Sequence, residues 1–496
     1  MSAVLRDAHT VVMASFGGPR VPGWTRAAIE AGLGAVCLFG SNLTGEDGEL
    51  RALTDELHAA GAGDVGGGVL VAIDEEGGDV TRLEAGRGSR HPGALALGAV
   101  DDLALTRQVG ASIGALLRRA GVDWTWSPVA DVSSNPDNPV IGVRSYGTDA
   151  ELVARHAAAT VVGLQDDSGI LACAKHFPGH GDTDVDSHLD LPVVTASRAA
   201  LDVIGLAPFR ACIDAGVRTV MTGHLHVLAL DADLPATLSP GVVTDLLRGE
   251  LGFTGAVVSD ALEMDGVARH RGIEEAAVLA VQAGVDALCL GGRLADETVV
   301  DRAHSAIVAA VLGGRVDEGR IHDAATRVAG LAAWRAARSV AAGAPMSEDE
   351  CEAAARRALL VEGDPRLRAG APSVVVCEPA PNIAAGAVTW GLADTLLAVR
   401  PDAEVLRIDA SSPTPDRLPT DQPVVLVLRD AARHAWQRTV EHRLVDARPD
   451  VVVIELGVPA ARHPQAAGRI TTYGASRSSL EAAVALLAAP EGRRRR

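Results

Sequence analysis

Residues 169–180 read GILACAKHFPGH. Six small or apolar residues run straight into Lys175 and His176, and Pro178 and Gly179 end the run. Unbroken hydrophobicity, rather than alternation, suits a strand covered on both faces. The same construction recurs seven more times: TVVMASFGG (10–18), GAVCLFG (34–40), GVLVAIDEEGG (68–78), VDWTWSPVADV (122–132), RTVMTGHLH (218–226), GAVVSDALEM (255–264) and DALCLGG (286–292). An Ala/Leu-rich helical stretch follows each. Eight such units predict a (β/α)8 TIM-type barrel over residues 1–340. A doubly wound parallel sheet shares this rhythm and is the alternative.

Titratable residues stand where the runs end: Asp74 and Glu75, Asp131, Lys175 and His176, His224 and His226, Asp260 and Glu263. In a barrel these ends all face the loops that build active sites. Residues nearly two hundred positions apart would then share one pocket.

Beyond the barrel the composition shifts. Residues 341–365 read as a small-residue linker and a charged connecting helix, opened by SEDE with Ser347 as its N-cap. Residues 366–496 carry five further apolar runs, among them SVVVCEP, PVVLVLRD and DVVVIELG. They predict a smaller αβα sandwich with a mostly parallel sheet.

With 496 residues, 48% of them hydrophobic, there is ample material for two cores. A formal charge of −19 disfavours nucleic acid and anionic membrane as partners, and 3% aromatics offers no stacking platform for single strands. No membrane span is expected. The six cysteines show no CxxC spacing, which argues against a disulfide framework or thiolate zinc site. MSAVLRDAHTVVMASFGG lacks the basic start and apolar core of a signal peptide, so a cytoplasmic protein is expected.

Three readings compete for the segment CAKHFPGHGDTDVDSHLDLP (173–192): a metal site, an acid/base apparatus, or a hydrated loop. His176, His180 and His188 with Asp182, Asp184 or Asp186 supply ligand types, but without helical ligand spacing. Asp186 and His188 are two residues apart, so an extended segment puts them on one face. The carboxylate would then fix the imidazole tautomer, and the ring could give and take a proton. Asp260 ends a buried apolar run, where a carboxylate is costly unless paired or used. It is the candidate nucleophile in the two-group layout of a retaining glycosidase. Asp74 can accept bonds from sugar hydroxyls, and Arg82, Arg144, Lys175 and His176 are candidate donors.

The blocks IDEEGGDVTRL (73–83), SPVADV (127–132), NPVIGVRSYGTD (138–149), KHFPGHGDTDVDSH (175–188), PATLS (235–239) and VVSDALEM (257–264) resemble, in order, the signatures of glycoside hydrolase family 3. They are most similar to its two-domain β-N-acetylglucosaminidase (β-N-acetylhexosaminidase) branch. The resemblance implies Asp260 as nucleophile and Asp186–His188 as the acid/base dyad on a mobile loop. It implies Asp74, Arg82, Arg144, Lys175 and His176 as sugar-binding residues. Asp79 departs from the pattern, where the family often carries arginine. The implied activity is release of terminal β-linked N-acetylglucosamine from cell-wall muropeptides or chitin-derived sugars, with no metal and no cofactor. Three alternatives remain open: a phosphorylase using phosphate as acceptor, a β-glucosidase or xylosidase, and a non-catalytic sugar-binding barrel. Oligomeric state is not legible.

Overall fold

The computed structural model describes residues 2–45, 48–62, 68–187, 189–291, 296–338, 343–380, 386, 390–412 and 422–488. The chain forms two compact units. The first comprises 1–76, 103–141 and 148–345; the second comprises 77–102, 142–147 and 346–496.

In the first unit each of the eight runs carries one strand: β1 Val12–Ala14, β2 Ala35–Leu38, β3 Leu70–Ile73, β4 Trp124–Thr125, β5 Cys173–Phe177, β6 Thr219–Thr222, β7 Ala256–Ser259 and β8 Leu288–Cys289. Neighbours pair in parallel from β1 to β4 and from β5 to β7, and β8 pairs with β1. Two parallel bridges, Trp124 with Leu171 and Val258 with Ala287, close the ring. Thr125 N–H donates to Leu171 O at 3.0 Å, and Ser259 N–H to Ala287 O at 2.9 Å. The fold is therefore a closed (β/α)8 barrel.

Alternate strand residues point inward. Ala35 and Cys37, Leu70 and Ala72, Leu171 and Cys173, Ala256 and Val258, and Ala287 and Cys289 pack with Met13, Met221, Trp124 and Trp126 in one cluster. The small residues leave room for the two indoles. Trp124 Nε1–H donates to Thr219 Oγ1 at 2.9 Å, satisfying the one polar atom that such burial would strand. The outward residues Val36, Val71, Ile73, Val220 and Val257 are buried as well. Burial on both faces is why these strands read as continuous apolar runs.

The second unit holds a six-stranded sheet of β9 Leu360–Gly363, β10 Ser373–Cys377, β11 Glu404–Ile408, β12 Val424–Leu428, β13 Val452–Glu455 and β14 Gly468–Thr471, in the order β9-β14-β13-β12-β10-β11. All pairs are parallel except β9 with β14. Val425 and Val427 face helices Leu392–Val399 and Arg477–Leu487, while Leu426 and Leu428 face helix Ala435–Ala447. This is the expected αβα sandwich. Helix Glu348–Ala358 is capped by Ser347, with Glu350 completing the capping box. β9 lies in a segment read only as linker and helix. It is an edge strand whose Leu360 and Val361 stay partly exposed, so it has no buried run to betray it. No described helix is long and apolar enough to cross a membrane.

Candidate active site

The carboxyl ends of β3, β4 and β5 converge on one ionic cluster in the first unit. Lys175, on β5, is 2% exposed. A buried ammonium requires compensation. Its Nζ lies 2.8 Å from Asp74 Oδ1 and 2.6 Å from Glu76 Oε1. Asp74 follows the last residue of β3 and is the more exposed of the two carboxylates. Held by the lysine, it presents fixed acceptor oxygens. Glu75, between them, is buried, and its backbone is tied to Thr125 Oγ1.

Asp131, beyond β4, is fully buried and organises the next turn of chain. It accepts from the backbone N–H of His176 at 3.2 Å and of His180 at 2.7 Å. His176 Nδ1–H donates to its Oδ2 at 2.7 Å. Burial alone would raise this carboxyl; the charge and bonds of His176, with those of His180, hold it below its ordinary value. The bond to Asp131 fixes the His176 tautomer and leaves Nε2 for a ligand.

His180 is the post around which the following loop is wrapped. Its Nδ1 lies 2.8 Å from Thr183 Oγ1 and its Nε2 3.0 Å from Ser187 Oγ. Asn138 Nδ2 donates at 2.9 Å to the carbonyls of both His180 and Thr183. Burial, aided by His176, lowers the His180 pKa to about 4, against the opposing charges of Asp131 and Asp260. It is thus a neutral bridging ring that binds the two hydroxyls. Gly181 sits so near the Val132 carbonyl that a Cβ would lie 1.7 Å from its oxygen. Ser187, gripped by His180, separates Asp186 from His188. Asp186 is 8% exposed. His188 lies outside the described residues.

Asp260 follows the last residue of β7, half-buried. Its N–H donates to Thr222 O at 3.1 Å, and Ala261 N–H donates to its Oδ1 at 2.8 Å. His224, fully buried beyond β6, donates through Nε2–H to Ala261 O at 3.0 Å and so braces the turn that carries Asp260. The loop reaches the same place. A Cβ on Gly266, six residues after Asp260, would lie 3.1 Å from Ser187 O and 3.3 Å from Asp190 O. The segment that carries Asp186 therefore rests on the first turn of helix Asp265–Ala283, which begins five residues after Asp260. The Asp260 carboxylate, the Lys175 ion cluster and the loop segment through Asp186 and Ser187 all stand at strand ends or in the loops that follow them in the first unit.

Arg82 and Arg144 lie on 77–102 and 142–147, and so belong to the second unit. Arg144 ends a short 3-10 turn and is buried. Asp79, the departure from the expected arginine, is buried in that unit. It pairs with Arg429 and accepts Ala475 N–H at 2.6 Å.

Glu76 escaped the sequence reading. In a DEEGG string nothing local tells which of three acids will face the lysine 101 positions away in sequence from Asp74. Asp131 was legible as a strand-end acid, but its double grip on His176 and His180 was not. His224 and Glu263 were legible in the same way; Glu263 Oε2 accepts Gly291 N–H at 3.1 Å.

Residues 25–331 match the glycosyl hydrolase family 3 N-terminal domain. The chain is 36% identical over 275 residues to a β-hexosaminidase of Thiobacillus denitrificans, covering 54% of this chain and 74% of that protein. It is 35% identical over 271 residues to β-hexosaminidase A of Pseudoalteromonas piscicida, a match spanning 51% of this chain and 45% of that longer protein. The family 3 β-N-acetylglucosaminidase structure from Paenibacillus sp. str. FPU-7 superposes with a TM-score of 0.84 at 34% identity, covering 97% of this chain and 96% of that one.

Proposed function

The chain belongs to glycosyl hydrolase family 3 and is a glycoside hydrolase; from that premise we propose that it is a retaining exo-β-N-acetylglucosaminidase. Asp260 attacks the anomeric carbon of a terminal β-linked N-acetylglucosamine while His188 protonates the departing oxygen, so the C1–O bond breaks as the C1–Asp260 ester forms. His188, now neutral, takes a proton from water. That water attacks C1, Asp260 leaves as carboxylate, and configuration is retained. Asp186 steadies the imidazolium. Asp74, Lys175 and His176 bind the sugar hydroxyls.

One observation carries this reading: the loop of Asp186 rests, at Ser187 and Asp190, against Gly266 in the first turn of helix Asp265–Ala283, which begins five residues after Asp260. Two groups that act on one carbon must come from adjoining segments. The proposed substrates are muropeptide fragments or short chitin-derived sugars, met in the cytoplasm. The test is product analysis on N,N′-diacetylchitobiose and a muropeptide. Release of β-configured N-acetylglucosamine is expected. Initial release of the α-anomer would overturn the two-step route, and faster cleavage of an aryl glucoside than of the N-acetylglucosaminide would overturn the sugar assignment.

Phosphorolysis is the second reading. A carboxylate acid/base would repel a phosphate dianion; an imidazole does not. Added phosphate that accelerates turnover and yields a sugar 1-phosphate would establish it, and an unchanged rate would dismiss it.

A further inference from the structure

Helix Ala435–Ala447 in the second unit carries His442 and Asp446 one turn apart, where i and i+4 side chains share a face. His463, on the chain between β13 and β14, meets them. One donor atom from each of the three lies within 4.8 Å of the other two. His463 Nε2 is 3.5 Å from Asp446 Oδ1. The two imidazole rings meet edge to face with centroids 4.7 Å apart. We propose that His442, Asp446 and His463 form a binding site for one divalent cation of the zinc type.

The donor set fits that class. Two imidazole nitrogens and one carboxylate oxygen, with water in the fourth position, match borderline cations rather than magnesium or calcium, which take oxygen ligands. Tetrahedral zinc with bonds near 2.0–2.1 Å holds its ligands roughly 3.3 Å apart. The His463–Asp446 pair already stands close to that separation. His442 and Asp446 are exposed and can turn the remaining distance without disturbing a core. His463 is 8% exposed, which fixes the third ligand in place. Its Nδ1 accepts Gln465 N–H at a long 3.4 Å, so Nε2 is the atom offered to the metal. Ligation moves the ring proton to Nδ1 and gives up only that weak contact. Neighbouring Glu441 does not compete, because its carboxylate is bound to Arg469 at 2.9 Å.

A bound cation would clip the helix to the segment that enters β14. Metal that binds the folded chain alone raises its stability by mass action. The site is independent of the glycosidase reading.

The test uses the full chain, stripped with a chelator and titrated with zinc chloride by calorimetry, with thermal unfolding followed in parallel. Wild type is expected to bind an ion at this site, with a midpoint rise of roughly 5 °C at saturating zinc. His442→Ala and Asp446→Asn, both at exposed positions, should weaken this binding at least about tenfold and abolish the rise. His463→Ala should do the same, and all three should cleave an aryl N-acetylglucosaminide at the wild-type rate in zinc-free buffer. Absence of binding at micromolar zinc would overturn the proposal. So would binding and a midpoint rise that persist in all three variants, since the ion would then sit elsewhere.

Discussion

At the scale of single residues, Asp260 is the proposed nucleophile. Its backbone is bonded to Thr222 and its carboxylate to Ala261 N–H, yet it remains half-buried at a strand end. D260A is expected to lower kcat by roughly 10^4-fold or more and to abolish covalent labelling by a fluorosugar. Label that persists would name another nucleophile. Ser187 offers a subtler test. Its hydroxyl, 3.0 Å from His180 Nε2, anchors the middle of the Asp-Ser-His triplet. Loss of one neutral hydrogen bond is worth about 1 kcal/mol. S187A should therefore lower kcat/KM about fivefold to tenfold for chitobiose, whose leaving group needs a proton. A dinitrophenyl glycoside, which needs none, should be cleaved unchanged. An equal loss on both substrates would mean general damage instead of a misplaced acid.

At the scale of elements, two glycines show how tightly the loop is seated. A Cβ at Gly181 would overlap the Val132 carbonyl, whereas one at Gly266 would meet Ser187 O at 3.1 Å and demand only a shift of a few tenths of an ångström. G266A is expected to fold and to lose activity preferentially on poor leaving groups, read as a kcat/KM ratio between the two substrates just named. Wild-type kinetics would show that the loop moves aside freely. In the second unit Asp79 is buried against Arg429 and Ala475 N–H. Removing one partner of a buried pair is costly, so R429A should destabilise that unit by about 3 kcal/mol in urea unfolding. No measurable change would make the pair incidental. Most elements were readable from sequence because their cause is local. The capping box at Ser347 and Glu350 is four residues long. β9 was not, because its pairing with β14 joins residues more than a hundred positions apart and buries no continuous apolar run.

At the scale of the whole molecule, buried histidines set the response to acid. Burial first lowers His91 and His180 from the usual 6.5 to about 4, against the opposing charges of Glu84 at His91 and of Asp131 at His180. The unfolded chain protonates each ring near pH 6.5, the folded chain only near pH 4. The unfolded state therefore binds more protons throughout that window, and stability falls as pH drops from 6.5 to 4. Each ring accounts for about 3 kcal/mol once pH is below both values. Urea midpoints at pH 7.5, 5.5 and 4.5 should decline steadily, and less steeply in H91N. A flat profile, or an identical slope in the variant, would show that these rings do not govern acid stability.

By itself the sequence determined the eight barrel strands, the sandwich that follows them, and the strand-end residues from Asp74 to Asp260. Strands buried on both faces require unbroken apolar runs, and a polar residue that ends such a run is visible wherever it stands. Only the tertiary structure decided that Glu76 shares Lys175 with Asp74, that Asp131 holds two histidines, and that the inserted segments of Arg82 and Arg144 fold with the second unit. These are pairings of polar groups across long stretches of chain. They follow from the need to satisfy each buried charge in three dimensions, and no local periodicity records which partner will arrive.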